Sequence, residues 1–524
     1  MRVAPNFAPV FPVKRIAAID LGTNSFHAII VEVYSDGSFR RMDKLKEMVL
    51  LGKGGGENVI SNAAIKRGIK ALKNIKTLCD SYDCEQILAY GTSAIRESEN
   101  GGLFIQKSID EVGVKINAIS GKIEAELIGY SVQHGVNIGN DSVLMVDIGG
   151  GSVEFIIGND EEFFHTESKK LGVSRITQMF EPDDPISSEG IDAVERHYEK
   201  ELESLSEHMK QYRPRTIVGS SGTMENIALM IASKKDTAVD ITLNEYEYSA
   251  EDLQEFYAWF ITLDRTKRKK IEGLDDKRVD MINTGIILLK KLIDKYEIEK
   301  VRISTQALRE GIIIRHLRKE MIGLSWAGKF NDPRRRSIFE LLRKCQWHEE
   351  HSRHVTRMAL KLFDALKEEL NLSDNDRELL EYAGYLHDIG YYISHSKHHK
   401  HALYIIRNSK LKGFKEDEIE IMANVARYHR RSTPKKRHKQ YWKMPRAIRT
   451  RIRKLSGILR VADGLDRSHY QNVKELQVHS NTDEVLLEIT TEDEPYLEIW
   501  GAMRKSKLLK TVVGKNVRIE RKNV

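Results

Sequence analysis

Two short Gly-rich turns, each set between apolar runs, constrain this chain more than any other feature. Residues 15–33 pass through an apolar stretch, the turn Asp20-Leu-Gly-Thr-Asn-Ser25 and a second apolar stretch. Residues 140–160 repeat the plan around Asp147-Ile-Gly-Gly-Gly-Ser152 and run on to Glu154. An apolar run, a polar glycine turn and another apolar run form the pattern of a β-hairpin. The common order of strand, Asp, hydrophobic residue, Gly, tight turn, Ser and strand is a duplication at domain scale, not a short repeat. It predicts two lobes built alike. Either turn alone is as readily an ordinary hairpin loop as a binding site; the matched second copy shifts the weight toward a site.

The chemistry of both turns suits an anion. Gly22 lets the backbone turn tightly and expose N–H groups, while Thr23, Asn24 and Ser25 add short-range donors. Gly149, Gly150 and Gly151 allow close backbone approach, with Ser152 beside them. Asp20, at a strand end, can hold a magnesium ion directly or through water. Asp147 and Glu154 flank the second turn on successive strands.

The rest of the chain supplies helices and punctuation. Residues 61–82 have helical apolar spacing with Ser61 or Asn62 as N-cap. Residues 87–98 and 216–230 each read as a strand entering a turn and a helix. The texture changes near Gly323–Pro333, which has the composition of a linker. Helices rich in His, Arg and Leu then extend to about Tyr470. From Asn472, VKELQVHS and EVLLEITT read as strands, LEIWGAMRKSKLLKTVVG as one helix and VRIERK as a last strand.

Length suggests roughly three or four domains, and 40% hydrophobic with 31% charged residues permits a sizeable globular core. Three cysteines, Cys79, Cys84 and Cys345, are too few and odd in number for a disulfide scaffold and point to a reducing, cytoplasmic compartment. Cys79 and Cys84 are too isolated to suggest zinc. Prolines at Pro5, Pro9 and Pro12 break any signal-type helix, so the first residues are expected to be a floppy leader. No stretch reaches the roughly 18 apolar residues of a membrane span. Between Arg430 and Lys454 lie twelve Lys or Arg and no Asp or Glu. Such a run is either a solvated, loop-rich surface or a contact for a polyanion: nucleic acid, anionic lipid or polyphosphate.

Six segments together carry a resemblance: DLGTNSFHAII at 20–30, YGTSAIRES at 90–98, SGKIEAELIGY at 120–130, DIGGGSVEF at 147–155, GSSGT at 219–223 and STQALREGI at 304–312. In this order they resemble the exopolyphosphatase/guanosine pentaphosphate phosphohydrolase (Ppx/GppA) family of the actin-like ATPase superfamily. The resemblance spans residues 14–320, and more loosely the remainder, where longer members carry a helical region similar to an HD domain. It implies an α/β fold of two actin-like (ribonuclease H-like) lobes at 14–135 and 136–325. An all-α HD-like domain at 330–470 and a small α/β C-terminal domain at 471–524 would follow.

The resemblance also implies roles. The two turns would clasp the terminal phosphates between the lobes. Arg96 would reach the transferring phosphoryl group, Glu124 would activate the attacking water, and Glu154 would position water or metal. Magnesium would sit near Asp20, Asp147 and Glu154. Gly219 to Thr223, including Gly222, match the loop that contacts a nucleoside in kinase relatives. Read without the resemblance, Arg96 pairs with Glu97 or Glu99 on a helix surface and Glu124 is one more exposed acid. Family members often carry an acidic pair at this motif; here its first position is Ile123, and Glu126 lies two residues away.

His351, the pair His387-Asp388, and Asp463 match the ligand order of HD-type metal phosphohydrolases, and imidazole with carboxylate suits a divalent transition metal or magnesium. A dinuclear version would recruit His398, His399 or His429. The competing reading is a scaffold in which these histidines, with Lys400, His401, Arg427, Arg430 and Arg431, serve a polyanion without metal. The expected activity is magnesium-dependent release of orthophosphate from the end of inorganic polyphosphate. Hydrolysis of guanosine pentaphosphate (pppGpp) is the alternative, and a nucleotide-gated scaffold the third reading. The basic run is expected to serve as a track for long polyphosphate, nucleic acid and membrane are not expected as partners, and the resemblance implies a homodimer.

Overall fold

In the structure, a computed structural model, the described residues are 12–35, 37–52, 59–235, 243–320 and 332–522. The leader before Pro12 and most of the expected linker at Gly323–Pro333 lie outside them. The chain divides into two compact units, Met1–Pro333 and Arg334–Val524.

The first unit contains two sheets. One has strands β1 (Pro12–Leu21), β2 (Ser25–Tyr34), β3 (Phe39–Met48), β4 (Gln86–Gly91) and β5 (Ile116–Ala118), in the order β3-β2-β1-β4-β5. The other has β6 (Val143–Ile148), β7 (Val153–Gly158), β8 (Phe163–Lys169), β9 (Thr216–Ser220), β10 (Glu247–Ser249) and β11 (Lys300–Ile303), in the order β10-β11-β9-β6-β7-β8. Each begins as an antiparallel three-strand meander. Each then adds parallel strands beside its first strand, as β1 pairs with β4 and β6 with β9. The duplication read from the two turns is therefore a duplication of sheet topology, and only β10 breaks the match.

Alternation along the central strands explains their apolar sequences, because both faces are covered. Ile16 and Ala18 of β1 join one core, whereas Ala17, Ile19 and Leu21 join another. On β6, Val143 and Met145 share the core of Ile16, while Leu144, Val146 and Ile148 face a third. The shared core also takes side chains from helices Gly121–Gly135 and Leu308–Glu320. These two helices pack tightly: a Cβ on Gly311 would lie 1.9 Å from the Leu127 carbonyl oxygen. The helix Asn62–Ser81 begins as expected, with Ser61 Oγ accepting from the Ala64 amide.

The second unit is helical up to Gly464, through helices including Glu349–Leu366, Asp374–Leu386, His398–Asn408, Glu416–Tyr428 and Arg446–Gly464. A three-stranded sheet follows, β12 (Val473–Ser480), β13 (Glu484–Thr491) and β14 (Asn516–Arg521), in that order. Its intervening segment is two helices, Tyr496–Lys505 and Lys507–Val513, where the apolar pattern predicts one. At the break Ser506 Oγ donates to the Met503 carbonyl at 2.8 Å, a side-chain bond that competes with the helical ladder. Gly464 and Gly501 let the helices Arg446–Gly464 and Tyr496–Lys505 touch backbone to backbone. The basic run is not a loop throughout: it contains helix Lys439–Lys443 and the first turns of Arg446–Gly464, which starts directly after Pro445. Lys435, Lys436 and Arg437 are exposed, whereas Arg451 is bound to Asp376 at 2.6 Å.

Candidate active site

Both hairpins close with the same turn. The Gly22 amide donates to the Ser25 carbonyl at 3.2 Å, and the Gly149 amide to the Ser152 carbonyl at 3.0 Å. Strand register places Asp20 opposite His27 and Asp147 opposite Glu154, so His27 stands in the first lobe where Glu154 stands in the second. The turns face each other. A Cβ on Gly150 would lie 2.8 Å from Asn24 Nδ2, and one on Gly151 would lie 3.1 Å from Thr23 Oγ1 and 2.6 Å from Ser93 Oγ. The loop carbonyls are tied elsewhere: Thr23 and Asn24 accept from the amides of residues 49–51, and Gly149 and Gly150 from those of residues 173–175.

Between the turns is a cavity of about 300 Å³. Its walls bring together Asp20, Gly22, Thr23, Asn24 and Ser25 from one hairpin and Asp147, Gly149, Gly150, Gly151, Ser152 and Glu154 from the other, with Glu124 and Gly222. Two expected residues stand behind this wall. Arg96 binds Glu124, its Nη1 donating to Oε2 at 2.8 Å and to the Ile119 carbonyl at 3.1 Å. Thr223 is fully buried and accepts from Arg278 Nη1 at 3.1 Å. Arg96 also lies 3.5 Å from Glu97, so the surface pair and the Glu124 pair coexist. Ser221, at the junction of β9 and its helix, has φ +90°, a conformation costly for a non-glycine residue and found here on the cavity wall.

Glu124 lies in the first turn of helix Gly121–Gly135, whose N-cap Ser120 accepts from the Ile123 amide. Glu124 is buried, while Glu126 is only partly covered and does not line the cavity.

The cavity also holds residues that sequence motifs did not single out: His27, Lys46, Glu225, Arg278 and Arg309. Arg309 Nη1 donates to His27 Nδ1 at 3.1 Å, and His27 Nε2 donates to Ser25 Oγ at 2.7 Å. His27 and Arg309 lie inside two of the quoted segments, so their position was a signal. Lys46 and Arg278 sit in segments without motif character, and only the fold brings them in.

The electrostatics are those of buried acids facing buried bases. Burial pushes the Asp20 carboxyl up to about 7; Arg309 opposes that, and Glu124 and Asp147 add to it. Burial likewise raises Glu124 to about 7 against the pull of Arg96. Asp147 is raised by burial despite the Ser220 hydroxyl donating to it. Glu154 is raised well above the ordinary range, by burial and then by Glu124 and Asp147, although Ser168 Oγ donates to it at 2.8 Å. Burial and then Arg309 push the His27 imidazole down to about 3, leaving it neutral. Bound cations and anions both find partners here. Each carboxylate is an oxygen donor whose charge a divalent ion would relieve, and Lys46, Arg278 and Arg309 offer their charge to phosphate. Asp20, Asp147 and Glu154 do not form a closed cage within 4.8 Å of one another. Separated carboxylates suit magnesium, which keeps several waters and takes one or two carboxylates plus substrate oxygens.

The second unit holds a separate cluster. His351, His387 and Asp388 have ligand atoms within 4.8 Å of one another, as do Asp388, His398 and His429. Asp463 Oδ1 is 3.8 Å from His351 Nε2, and its other oxygen is paired with Lys505. The four expected ligands therefore meet, and His399 belongs to neither group. Asp466, which the motif did not indicate, accepts from His351 Nδ1 at 2.7 Å.

The facing turns predict that Gly150→Val obstructs anion entry. The added atoms crowd Asn24 and Ser174 and occupy space between the facing turns, so anion affinity is expected to fall by roughly tenfold or more, about 1.4 kcal/mol per factor of ten. Titration with orthophosphate or vanadate, on a variant whose melting is cooperative, measures this; unchanged affinity removes the turn from the site.

The sequence model of the Ppx/GppA phosphatase family matches residues 29–320, and that of Ppx/GppA phosphatase domain III matches residues 334–508. The chain is 30% identical over 424 residues to a guanosine-5'-triphosphate,3'-diphosphate pyrophosphatase of Photobacterium profundum, covering 80% of this chain and 81% of that one. Among solved structures, an exopolyphosphatase from Cytophaga hutchinsonii is 31% identical with a TM-score of 0.55, covering 58% of this chain and 98% of its own. The Ppx/GppA family member of Aquifex aeolicus is 25% identical with a TM-score of 0.52, covering 60% of this chain and 99% of its own. The actin-like lobes, the paired glycine turns and the sequence match lead to one conclusion: the chain belongs to the Ppx/GppA phosphatase family, whose members hydrolyse phosphoanhydride bonds.

Proposed function

We propose that this protein is an exopolyphosphatase that removes the terminal phosphate of inorganic polyphosphate. The observation that carries the reading is the cavity wall: it pairs the two glycine turns with Lys46, Arg278 and Arg309, and among the described residues includes no Phe, Tyr or Trp to stack a purine. A chain of phosphates needs charge along its length, whereas a nucleoside needs an apolar face. The second reading, hydrolysis of pppGpp, is favoured by the Photobacterium profundum relative, which carries that specificity in its name over four-fifths of both chains.

In this reading the amides of Gly22 and of Gly149 to Gly151, with the hydroxyls of Thr23, Ser25 and Ser152 and the Asn24 amide, hold the non-bridging oxygens of the terminal phosphate. Gly222 closes the wall, and Thr223 fixes Arg278. Glu124 accepts a proton from the water that attacks the terminal phosphorus, and the bridging oxygen leaves with the shortened chain. Arg96 orients Glu124 and brings positive charge to the transferring group. Phosphoryl transfer needs mainly such positioning and charge complementarity. Asp20, Asp147 and Glu154 would hold magnesium, which neutralises charge on the phosphoryl oxygens. The lobes are taken as residues 14–135 and 136–325. The HD-like region at 330–470 would hold a second divalent metal through His351, His387, Asp388 and Asp463, with a small C-terminal domain at 471–524. A cytoplasmic homodimer completes the proposal. The three free cysteines support the compartment, and among the described residues no helix is long and apolar enough to cross a membrane.

Glu124→Gln is expected to cut turnover by on the order of 10²–10⁴ while substrate binding survives; near wild-type turnover in that variant, with an inactive Glu126→Gln, would transfer the role to Glu126. Because a base must be deprotonated to act and the Glu124 carboxyl is raised to about 7, wild-type turnover is expected to fall as pH drops through neutrality. Glu124→Gln should lack that limb.

The substrate is decided by offering long polyphosphate, short polyphosphate, pppGpp and ATP in parallel with magnesium and measuring released orthophosphate. The proposal expects the highest kcat/KM on long polyphosphate. It also expects that reversing charge at the exposed Lys435, Lys436 and Arg437 lowers the ratio of long- to short-chain efficiency, most strongly at low salt, since each phosphate contact releases a counterion. Preference for pppGpp would establish the second reading, and an unchanged ratio would remove the basic run from substrate binding.

A further inference from the structure

The helix Asn62–Ser81 ends in a turn that sets two thiols side by side. Beyond its C-cap, Tyr82, comes Asp83 with φ +50°, a left-handed residue of the kind that commonly stops a helix. The Asp83 amide donates to the Asp80 carbonyl at 3.1 Å, and the Cys84 amide to the Cys79 carbonyl at 3.0 Å. In a stop with these two nested bonds, the side chains at the outer pair of positions commonly touch, usually as a hydrophobic contact. Here both outer positions are cysteine. Cys79 is buried in the core that also holds Ile19 and Leu21, and the half-buried Cys84 packs against the same core.

The surroundings give the two sulfurs different roles. A hydrogen bond between the thiols, and then burial, raise Cys79. The same bond lowers Cys84 against the effect of burial, and Arg15 adds to the lowering. Cys84 is therefore the sulfur that holds negative charge more readily, with Cys79 as its proton-bearing neighbour. The turn is also fixed from the sheet side. Arg15 Nη1 donates to the Tyr82 carbonyl at 3.1 Å, and the Glu85 amide donates to the Arg15 carbonyl at 2.9 Å. A disulfide demands Cα atoms within about 7 Å and converging side chains. A backbone hydrogen bond between these two residues and the contact between their thiols meet both demands. Neither cysteine lines the cavity between the glycine turns, so the phosphatase reading leaves the pair without a role.

We propose that Cys79 and Cys84 are a redox-active pair that closes to an intramolecular disulfide when it meets a small-molecule disulfide. The Cys84 thiolate attacks one sulfur of the oxidant, whose S–S bond breaks and releases a thiolate. The Cys79 sulfur then attacks Cys84 in the mixed disulfide and releases the second thiolate. Two electrons pass to the oxidant, and the two cysteine protons end on the released thiols. Disulfides of a reducing compartment are usually transient in this way. The closed bond staples the end of the helix to the segment that enters β4, beside β1.

The test equilibrates the full chain with graded ratios of reduced to oxidised glutathione, traps free thiols with an alkylating agent in denaturant, and cuts with trypsin. Lys76 and Arg96 bracket both cysteines, so the bond appears inside the peptide of residues 77–96, which lacks both alkyl groups and two hydrogens. The expected result is that bond, reversed by dithiothreitol. Half-oxidation is expected at a reduced-to-oxidised ratio roughly tenfold or more higher than for the same chain in urea, because the folded turn holds the sulfurs together. Cys84→Ser, checked by a cooperative melt, should leave the Cys79 thiol free at every ratio. The wild-type peptide decides the matter even if that variant fails to fold. A folded chain that stops at a glutathione adduct on Cys84, or that forms the bond no more readily than the chain in urea, overturns the proposal.

Discussion

The first unit is organised around the burial of four carboxylates, Asp20, Glu124, Asp147 and Glu154, around one small cavity. Isolated, such a group favours the protonated state, because each acid lacks water and faces another acid. The fold holds them there because their backbones have no freedom to withdraw. Asp20 and Asp147 end central strands whose flanking residues fill cores on both faces, and Glu154 is paired in register with Asp147. Arg309, Arg278, Lys46 and Arg96 supply positive charge from other elements, so the site holds fixed charges of both signs. Fixed charges of this sort act on a developing phosphoryl transition state without reorganising during the reaction.

Duplication explains the architecture, and divergence explains the chemistry. The two lobes share sheet order, hairpin and turn, yet His27 stands where its counterpart is Glu154. One lobe thus offers a neutral imidazole bound to Arg309, and the other an acid beside Asp147. A symmetric pair would line the cavity with equal acids and leave less positive charge on its far side. The helix that carries Glu124 belongs to the core shared by both sheets, which is how a residue of the first lobe comes to lie beside Asp147 of the second.

What the sequence made legible was local. A glycine turn between apolar runs has one common outcome, so both hairpins and the cavity-lining residues of their turns could be read directly. Glu124 could be separated from Glu126 only through the resemblance, although two positions along a helix is more than half a turn and sends the acids to different faces. Arg309 reaches His27 across 282 residues and Arg278 reaches Thr223 across 55. No periodicity or spacing encodes such pairings, because they depend on how the lobes close. In the second unit the gathering of His351, His387, Asp388 and Asp463 was legible as a pattern, whereas the position of Asp388 between two histidine pairs was not. The expected single helix after Pro495 is interrupted at Ser506, whose hydroxyl bonds the Met503 carbonyl.

The central claim is that these acids direct water onto the terminal phosphorus of a phosphoanhydride chain. The direct measurement is a single turnover of polyphosphate in oxygen-18 water, with the label located by mass spectrometry. The account predicts one labelled oxygen in the released orthophosphate and none in the shortened chain. Label in the shortened chain would mean that water attacks the next phosphorus, which would contradict the placement of Glu124 against a terminal phosphate held between the two turns.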